Sequence, residues 1–313
     1  MEDESNFRHW ADLIPDALGL IFQKLPLQDV LTVVPRVCKS WERAVAGPYC
    51  WQEIDIEEWS MNSLPENIDR MLRLLIPRCQ GSLRKLRVSC VSNKDTFAFI
   101  ADNAKHMHTL GLPRSEIDEC LVDELAEKFS NVTVLDISYC NNMGEIALDA
   151  FGTHCKNLKS LRRTMHPLEV IDKISQDDEA LAIADAMPNL KQLEIAYMLV
   201  STECVVEIIK SCPQLELLDV RGCWSVSLDE EFLKKFPGLK VVGPAIVDCY
   251  AMDRWDDCSD SSDSSGFYPW DMDDGDEDDD GLWEVGEGVE DVEMWFYDGS
   301  NSMNAGYDWP QSP

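Results

Sequence analysis

Twelve cysteines and five histidines are the side chains best suited to metal or redox chemistry in these 313 residues, and their spacing argues against both. No Cys-x-x-Cys pair occurs, and the histidines do not follow cysteines at zinc-finger spacing. His106 and His108 come nearest to ligand spacing; with no cysteine cluster near them they read as solvated or core-edge histidines. There is no Gly-x-Ser-x-Gly elbow, no phosphate-cradling glycine loop and no His-Glu-x-x-His pair. A nucleophilic cysteine would need a histidine and an orienting group that spacing alone does not supply. The expectation is a chain with no catalytic residue, no metal ligand and no cofactor.

The elements that position these residues explain most of the cysteines. LxxLxL-like strings recur as Leu83-x-x-Leu86-x-Val88, Met107-x-x-Leu110-x-Leu112, Val132-x-x-Leu135-x-Ile137, Leu158-x-x-Leu161, Leu190-x-x-Leu193-x-Ile195, Leu215-x-x-Leu218-x-Val220 and, more weakly, Leu239-x-x-Val242. Five of the six steps between their first positions are nearly equal and match the period of leucine-rich repeats. Each string predicts a short strand, and intervening runs such as Phe97, Ile100, Ala101, Ala104 or Val205, Ile208, Ile209 have helical spacing. One unit cannot cover its own apolar face, but stacked units bury a shared core. Cys140 and Cys223 follow strands, whereas Cys79, Cys155 and Cys212 end helical stretches, so all five read as small buried thiols. The one longer step, from Leu158 to Leu190, marks an insertion at about 165–185, either a binding loop or a longer helix.

Between Leu13 and Trp51 more than half of the residues are apolar, against 45% for the whole chain. Pro15 can open a helix whose apolar residues Ala17, Leu18, Leu20, Ile21, Phe22 and Leu25 span roughly 200° of its circumference, about twice what a surface helix buries. A second helix starts near Asp29, and Pro35 is expected to separate it from a third containing Val37, Cys38, Trp41 and Val45. About forty residues are too few to bury so much apolar surface alone. A second polypeptide must cover the remaining face.

Charge sets the rest. Lys plus Arg number 27 against 59 Asp plus Glu, a net of −32, which disfavours general binding to nucleic acid or anionic lipid. Residues 248–313 hold 21 acids and one base, Arg254, so 1 − 21 = −20 of that charge lies there. Serines 259, 261, 262, 264 and 265 and aromatics from Trp255 to Trp309 punctuate the acid, and the composition predicts disorder, with the aromatics available for docking. Two Trp-Asp dipeptides there, at Trp255 and Trp270, lie too close together for the period of a propeller blade. The acidic, polar N-terminus lacks a signal-like segment, and no apolar run approaches the length of a spanning helix. A soluble intracellular protein in a reducing compartment, nucleus or cytoplasm, is expected, with the cysteines free.

The string Leu13-Ile14-Pro15-Asp16, Leu18, Ile21-Phe22, Leu25-Pro26, Asp29-Val30-Leu31, Val37-Cys38-Lys39-x-Trp41 and Pro48-x-x-Trp51 resembles an F-box. With the repeats, the chain is similar to plant F-box/leucine-rich-repeat proteins of the Skp-interacting-partner group. That resemblance implies an α/β chain organised as a three-helix F-box (8–57), a leucine-rich-repeat solenoid of about seven repeats (58–247) and an acidic tail (248–313). It implies a non-catalytic substrate adaptor of a Skp-cullin-F-box ubiquitin ligase, with a Skp-type adaptor as direct partner, cullin and RING subunits reached through it, and a protein substrate. The alternative is a scaffold that binds the Skp-type adaptor without delivering substrates for degradation. The adaptor-docking set is Leu13, Ile14, Pro15, Leu18, Ile21, Leu25, Val30, Leu31, Val37, Cys38 and Trp41, with Pro15 and Leu18 foremost. The candidate substrate face, from side chains flanking the apolar strand positions, is Lys85, Arg87, Asp136, Arg162, Glu194, Asp219 and Arg221. The local basic clusters Arg78, Arg84, Lys85, Arg87 and Arg162-Arg163 are expected to receive an acidic segment of substrate or tail.

Overall fold

A computed structural model describes residue 10 and residues 13–165 and 175–244. The expectations for the acidic tail and for much of the insertion therefore lie outside the described residues. The chain opens with four short helices, α1 (Pro15–Phe22), α2 (Leu27–Thr32), α3 (Val34–Val37) and α4 (Lys39–Ala46). Strand β1 (Glu53–Asp55) and helices α5 (Glu57–Met61) and α6 (Pro65–Leu75) follow. Strands and helices then alternate as β2 (Lys85–Arg87), α7 (Lys94–Asp102), β3 (Thr109–Gly111), α8 (Glu119–Leu125), β4 (Val134–Asp136), α9 (Glu145–His154) and β5 (Ser160–Arg162). The last units are α10 (Asp177–Ala186), β6 (Gln192–Glu194), α11 (Thr202–Ser211), β7 (Leu217–Asp219), α12 (Glu230–Leu233) and β8 (Lys240–Val242).

All eight strands form one parallel sheet in sequence order. Register places Ile54, Leu86, Leu110, Leu135, Leu161, Leu193, Leu218 and Val241 side by side. The first seven of these are at most 2% exposed, so a single apolar seam runs through the stack. On the helix side Phe97, Phe129 and Phe151 stack at centroid separations of 5.6 and 6.0 Å. The cysteines take the buried places expected of them. Each thiol donates to a carbonyl one unit earlier: Cys79 to Trp51 at 2.9 Å, Cys140 to Leu112 at 3.0 Å, Cys155 to Phe129 at 3.2 Å, Cys212 to Met187 at 3.4 Å and Cys223 to Ile195 at 3.1 Å. A small group that can satisfy a buried carbonyl fits these sites better than a pure hydrocarbon.

Three expectations need correction. Val241, not Val242, pairs with Leu218, so the last string sits one residue earlier than its spelling suggests; Lys240 N–H bonds Glu216 O and fixes that register. Pro35 does not separate helices. It lies in the first turn of α3, where its missing N–H costs nothing, and the break falls at Cys38, whose backbone is extended (φ −165°, ψ 164°). The N-terminal segment therefore holds four helical pieces, not three. Arg163 is not a surface cation: it occupies the third apolar position of its string and is wholly buried. Its Nη2 lies 3.0 Å from Glu179 Oε2 and donates to Met143 O at 2.8 Å.

Candidate functional site

Two surfaces merit construction from their residues, the outer face of the N-terminal helices and the strand face of the sheet. In α1 the side chains of Leu18 and Phe22 turn inward, and Gly19 lets the helix approach the Tyr49–Cys50 backbone; a Cβ there would lie 2.9 Å from Tyr49 Cβ. Phe22 packs on Trp41 at 5.0 Å between ring centroids. Val30, Leu31, Ala44 and Val45 complete this small core. Trp51 joins it to the sheet: its indole N–H donates to Val45 O at 2.6 Å, and Arg78 covers its ring at 5.5 Å.

What these helices leave outside is unusually apolar. Ile14 is 65% exposed, Val37 55%, Val33 54% and Leu20 52%, with Trp10, Leu13, Ile21 and Leu25 also exposed. Eight of the fifteen exposed large apolar side chains of the described residues thus fall between Trp10 and Val37. Scattered exposed leucines are commonplace, but a concentration like this marks an interaction face. Of the expected docking set, Leu13, Ile14, Pro15, Ile21, Leu25 and Val37 are exposed, while Cys38 and Trp41 are half-buried. Leu18, Val30 and Leu31 are corrected: at 0, 4 and 5% exposure they face the internal core and support the outer face from beneath. Leu20, Val33 and Trp10 were missed. Leu20 was legible, because projection at 100° per residue places it opposite Leu18.

On the strand face, the last residues of the strands align as Asp55, Arg87, Gly111, Asp136, Arg162, Glu194 and Asp219. Arg162 forks onto Glu194 at 2.8 and 3.1 Å and reaches Asp136 at 3.4 Å. Hydrogen bonding to the Glu194 carboxylate raises the guanidinium pKa above its ordinary value. Arg87 pairs with Glu57 and crosses β3 to Asp136 at 3.6 Å. Gly111 makes that crossing possible, because a Cβ there would stand 3.2 Å from Arg87 Cγ. Lys85 bonds Asp55 at 3.0 Å, and Arg221 folds back on Asp219 at 2.6 Å. Asp136 and Asp219, 8 and 5% exposed, also accept N–H bonds from Ser138 and Arg221. The seven expected substrate-face residues are thus brought onto one face, where each already has an ion partner.

Among the described residues no cluster of three or more His, Cys, Asp or Glu is placed to hold a metal, and no helix is long and apolar enough to cross a membrane. His108 Nδ1 lies 2.7 Å from His106 O, a local contact within the turn before β3.

Comparison with known proteins places these helices in a defined context. Residues 8–57 match the F-box-like family. The chain is 51% identical to F-box protein FBW2 of Arabidopsis thaliana over the full length of both. It is 31% identical to F-box protein SKIP1 of the same plant, over 72% of this chain and 82% of that one, and 30% identical to F-box protein SKIP19, over 75% and 76%. Other Arabidopsis relatives, 28–29% identical, carry F-box/LRR-repeat in their names. The helices with the exposed apolar face coincide with the matched segment, and the likeness continues through the sheet; the chain belongs to the F-box proteins of plants.

Proposed function

We propose that this chain is the substrate-recognition subunit of a Skp-cullin-F-box ubiquitin ligase. Residues 8–57 dock on a Skp-type adaptor, which brings the cullin and RING subunits. Residues 58–247 act as a leucine-rich-repeat solenoid whose strand face holds a protein substrate, and 248–313 form an acidic tail. The chain binds and positions, while the transfer chemistry belongs to its partners. The observation that carries this reading is the concentration of exposed apolar side chains on α1 to α3, a face suited to helix-in-groove recognition. Ile14, Ile21, Leu25 and Val37 are its direct contacts, joined by Leu20 and Val33, with Pro15 setting the start of α1. On the strand face, Lys85, Arg87, Asp136, Arg162, Glu194, Asp219 and Arg221 offer alternating charges, so a bound segment must exchange ion pairs rather than meet a field of one sign.

Capture of a purified Skp-type adaptor by the full chain tests the reading. Ile21→Glu with Val37→Glu should abolish capture while leaving the thermal midpoint within about 2 °C, since both residues are exposed. Undiminished capture would sink the proposal. Where the substituted chain still holds a protein partner, accumulation of that partner in cells marks delivery for degradation, and unchanged turnover marks a scaffold.

A further inference from the structure

The repeat sorts its charges between the two ends of the strands. At the downstream end, where the chain leaves each strand, nine Asp or Glu occupy the first turns of α7 to α12: Asp95, Glu119, Glu145, three at 177–179, Glu203 and two at 230–231. Helix N-termini favour them there. The upstream end has the opposite sign. The turns entering the strands (80–84, 103–108, 130–133, 155–159, 187–191, 212–216 and 234–239) hold seven Lys or Arg and one acid, Glu216, hence 7 − 1 = +6. Arg84, His108, Thr133, Lys159, Lys191 and Glu216 occupy the same place in successive units, because each accepts two N–H bonds from the next unit or donates to the preceding one. At about 4.8 Å per strand, Arg84 to Lys191 spans ~19 Å.

Most of this edge is uncommitted. Lys191 pairs with Glu216, but among the described residues Arg84, Lys105 and Lys159 have no ion-pair partner. All three are exposed. A groove of about 720 Å³ opens beside them, walled by Arg84, Lys85, His106 and His108, with Glu53 its one acid. A basic edge of this kind on a chain of net charge −32 calls for an anionic occupant.

We propose that the chain's own acidic segment, centred on residues 271–280, docks along this upstream edge over Arg84, Lys105, Lys159 and Lys191. The chain leaves the sheet at Val242, on the downstream side whose acids repel it. The stretch from Pro244 to Asp271 has an r.m.s. reach of ~30 Å as a flexible chain, enough to round the short strands and lie across β3 to β6. Tethering supplies an effective concentration on the order of millimolar, which favours this segment over an external one of equal charge. Docking here leaves the strand face and the N-terminal helices open, so it is independent of the adaptor-binding proposal.

Carbodiimide coupling of the full chain, read by peptide mass spectrometry on the monomer fraction, tests the placement. Links from Lys105, Lys159 and Lys191 to the acids of 271–280 should outnumber those from Lys24, Lys39 and Lys94 at least fivefold, and about 0.5 M NaCl should remove that preference. Arg84→Glu with Lys159→Glu should cut the remaining links from Lys105 and Lys191 at least fivefold. Links spread evenly over all lysines, or indifferent to both salt and charge reversal, would overturn the proposal. In a mixture of ¹⁵N-labelled and unlabelled chains, links between isotopes as frequent as those within one would also overturn it by making a second copy the occupant. The salt arm uses the unsubstituted chain, so it stands even if the variant misfolds. Adaptor capture by the variant should be unchanged, which separates a failure here from a failure of the F-box reading.

Discussion

Arg163 shows how one residue can depart from a repeat and still belong to its core. The neighbouring units place Ile137 and Ile195 at the equivalent, fully buried position. A guanidinium is tolerated there because Glu179 pairs with it, Met143 O and Ile137 O accept from it, and the Met165 thioether lies 3.0 Å from Nη1. These contacts join the start of α10 to the sheet across the insertion. Arg163→Ala should therefore destabilise the chain by about 3–5 kcal/mol, because it strands a carboxylate and opens a cavity at once. Arg163→Met combined with Glu179→Gln should recover most of that loss. Urea unfolding of the three proteins checks the ordering; a single Ala variant within about 1 kcal/mol of the parent would show the pair to be idle.

Among the elements, α1 has the narrowest tolerance. It has only eight residues, so its stability comes from packing rather than propensity. Its inner face meets the turn at Pro48–Cys50 through Gly19, where any side chain must displace backbone as well as Tyr49. Gly19→Val should lower stability by about 1–3 kcal/mol and loosen the apolar outer face that α1 carries. Loss of adaptor capture together with a lowered thermal midpoint is the expected pair of results, in contrast to the exposed-face substitutions, which should affect capture alone. Gly111 plays a comparable part in the sheet: its bare backbone lets Arg87 lie across β3, so the charged row on the strand face depends on a residue that carries no charge.

Across the whole molecule, the buried thiols make stability depend on alkaline pH. Burial pushes Cys50, Cys79 and Cys155 up to about 12, and Cys140, Cys212 and Cys223 up to about 11. For Cys50 the nearby Arg78 charge opposes that shift, and for Cys140 the Arg163 charge does. A thiol that keeps its proton more tightly when folded contributes stability fully present below the unfolded value near 8.5, and lost as pH rises towards 11–12. The ceiling at pH 10 is about 2 kcal/mol per thiol. Urea midpoints in reducing buffer should thus fall steeply between pH 8 and 10, and Cys79→Ala with Cys155→Ala should flatten the fall. An unchanged slope in that variant would show that other groups titrate instead. The thiols recur along a continuous core, so the loss should be felt by the whole stack in one transition.

The amino-acid order by itself determined the repeat, the buried cysteines and the apolar excess of the first helices, because all three follow from the side-chain periodicities of strands and helices and from the volume a short segment can enclose. Apolar count alone did not tell which side of α1 faces outward: Leu18 and Leu20 are chemically identical, and contact with Tyr49, Trp41 and Trp51 buries the first and leaves the second in solvent. Nor did local spelling reveal that Arg163 is internal, or that Arg87 and Arg162 share Asp136, since those partners are remote from one another along the chain. Tertiary structure decided these points because charge pairing and burial depend on which strands become neighbours, and the parallel register of the sheet sets that.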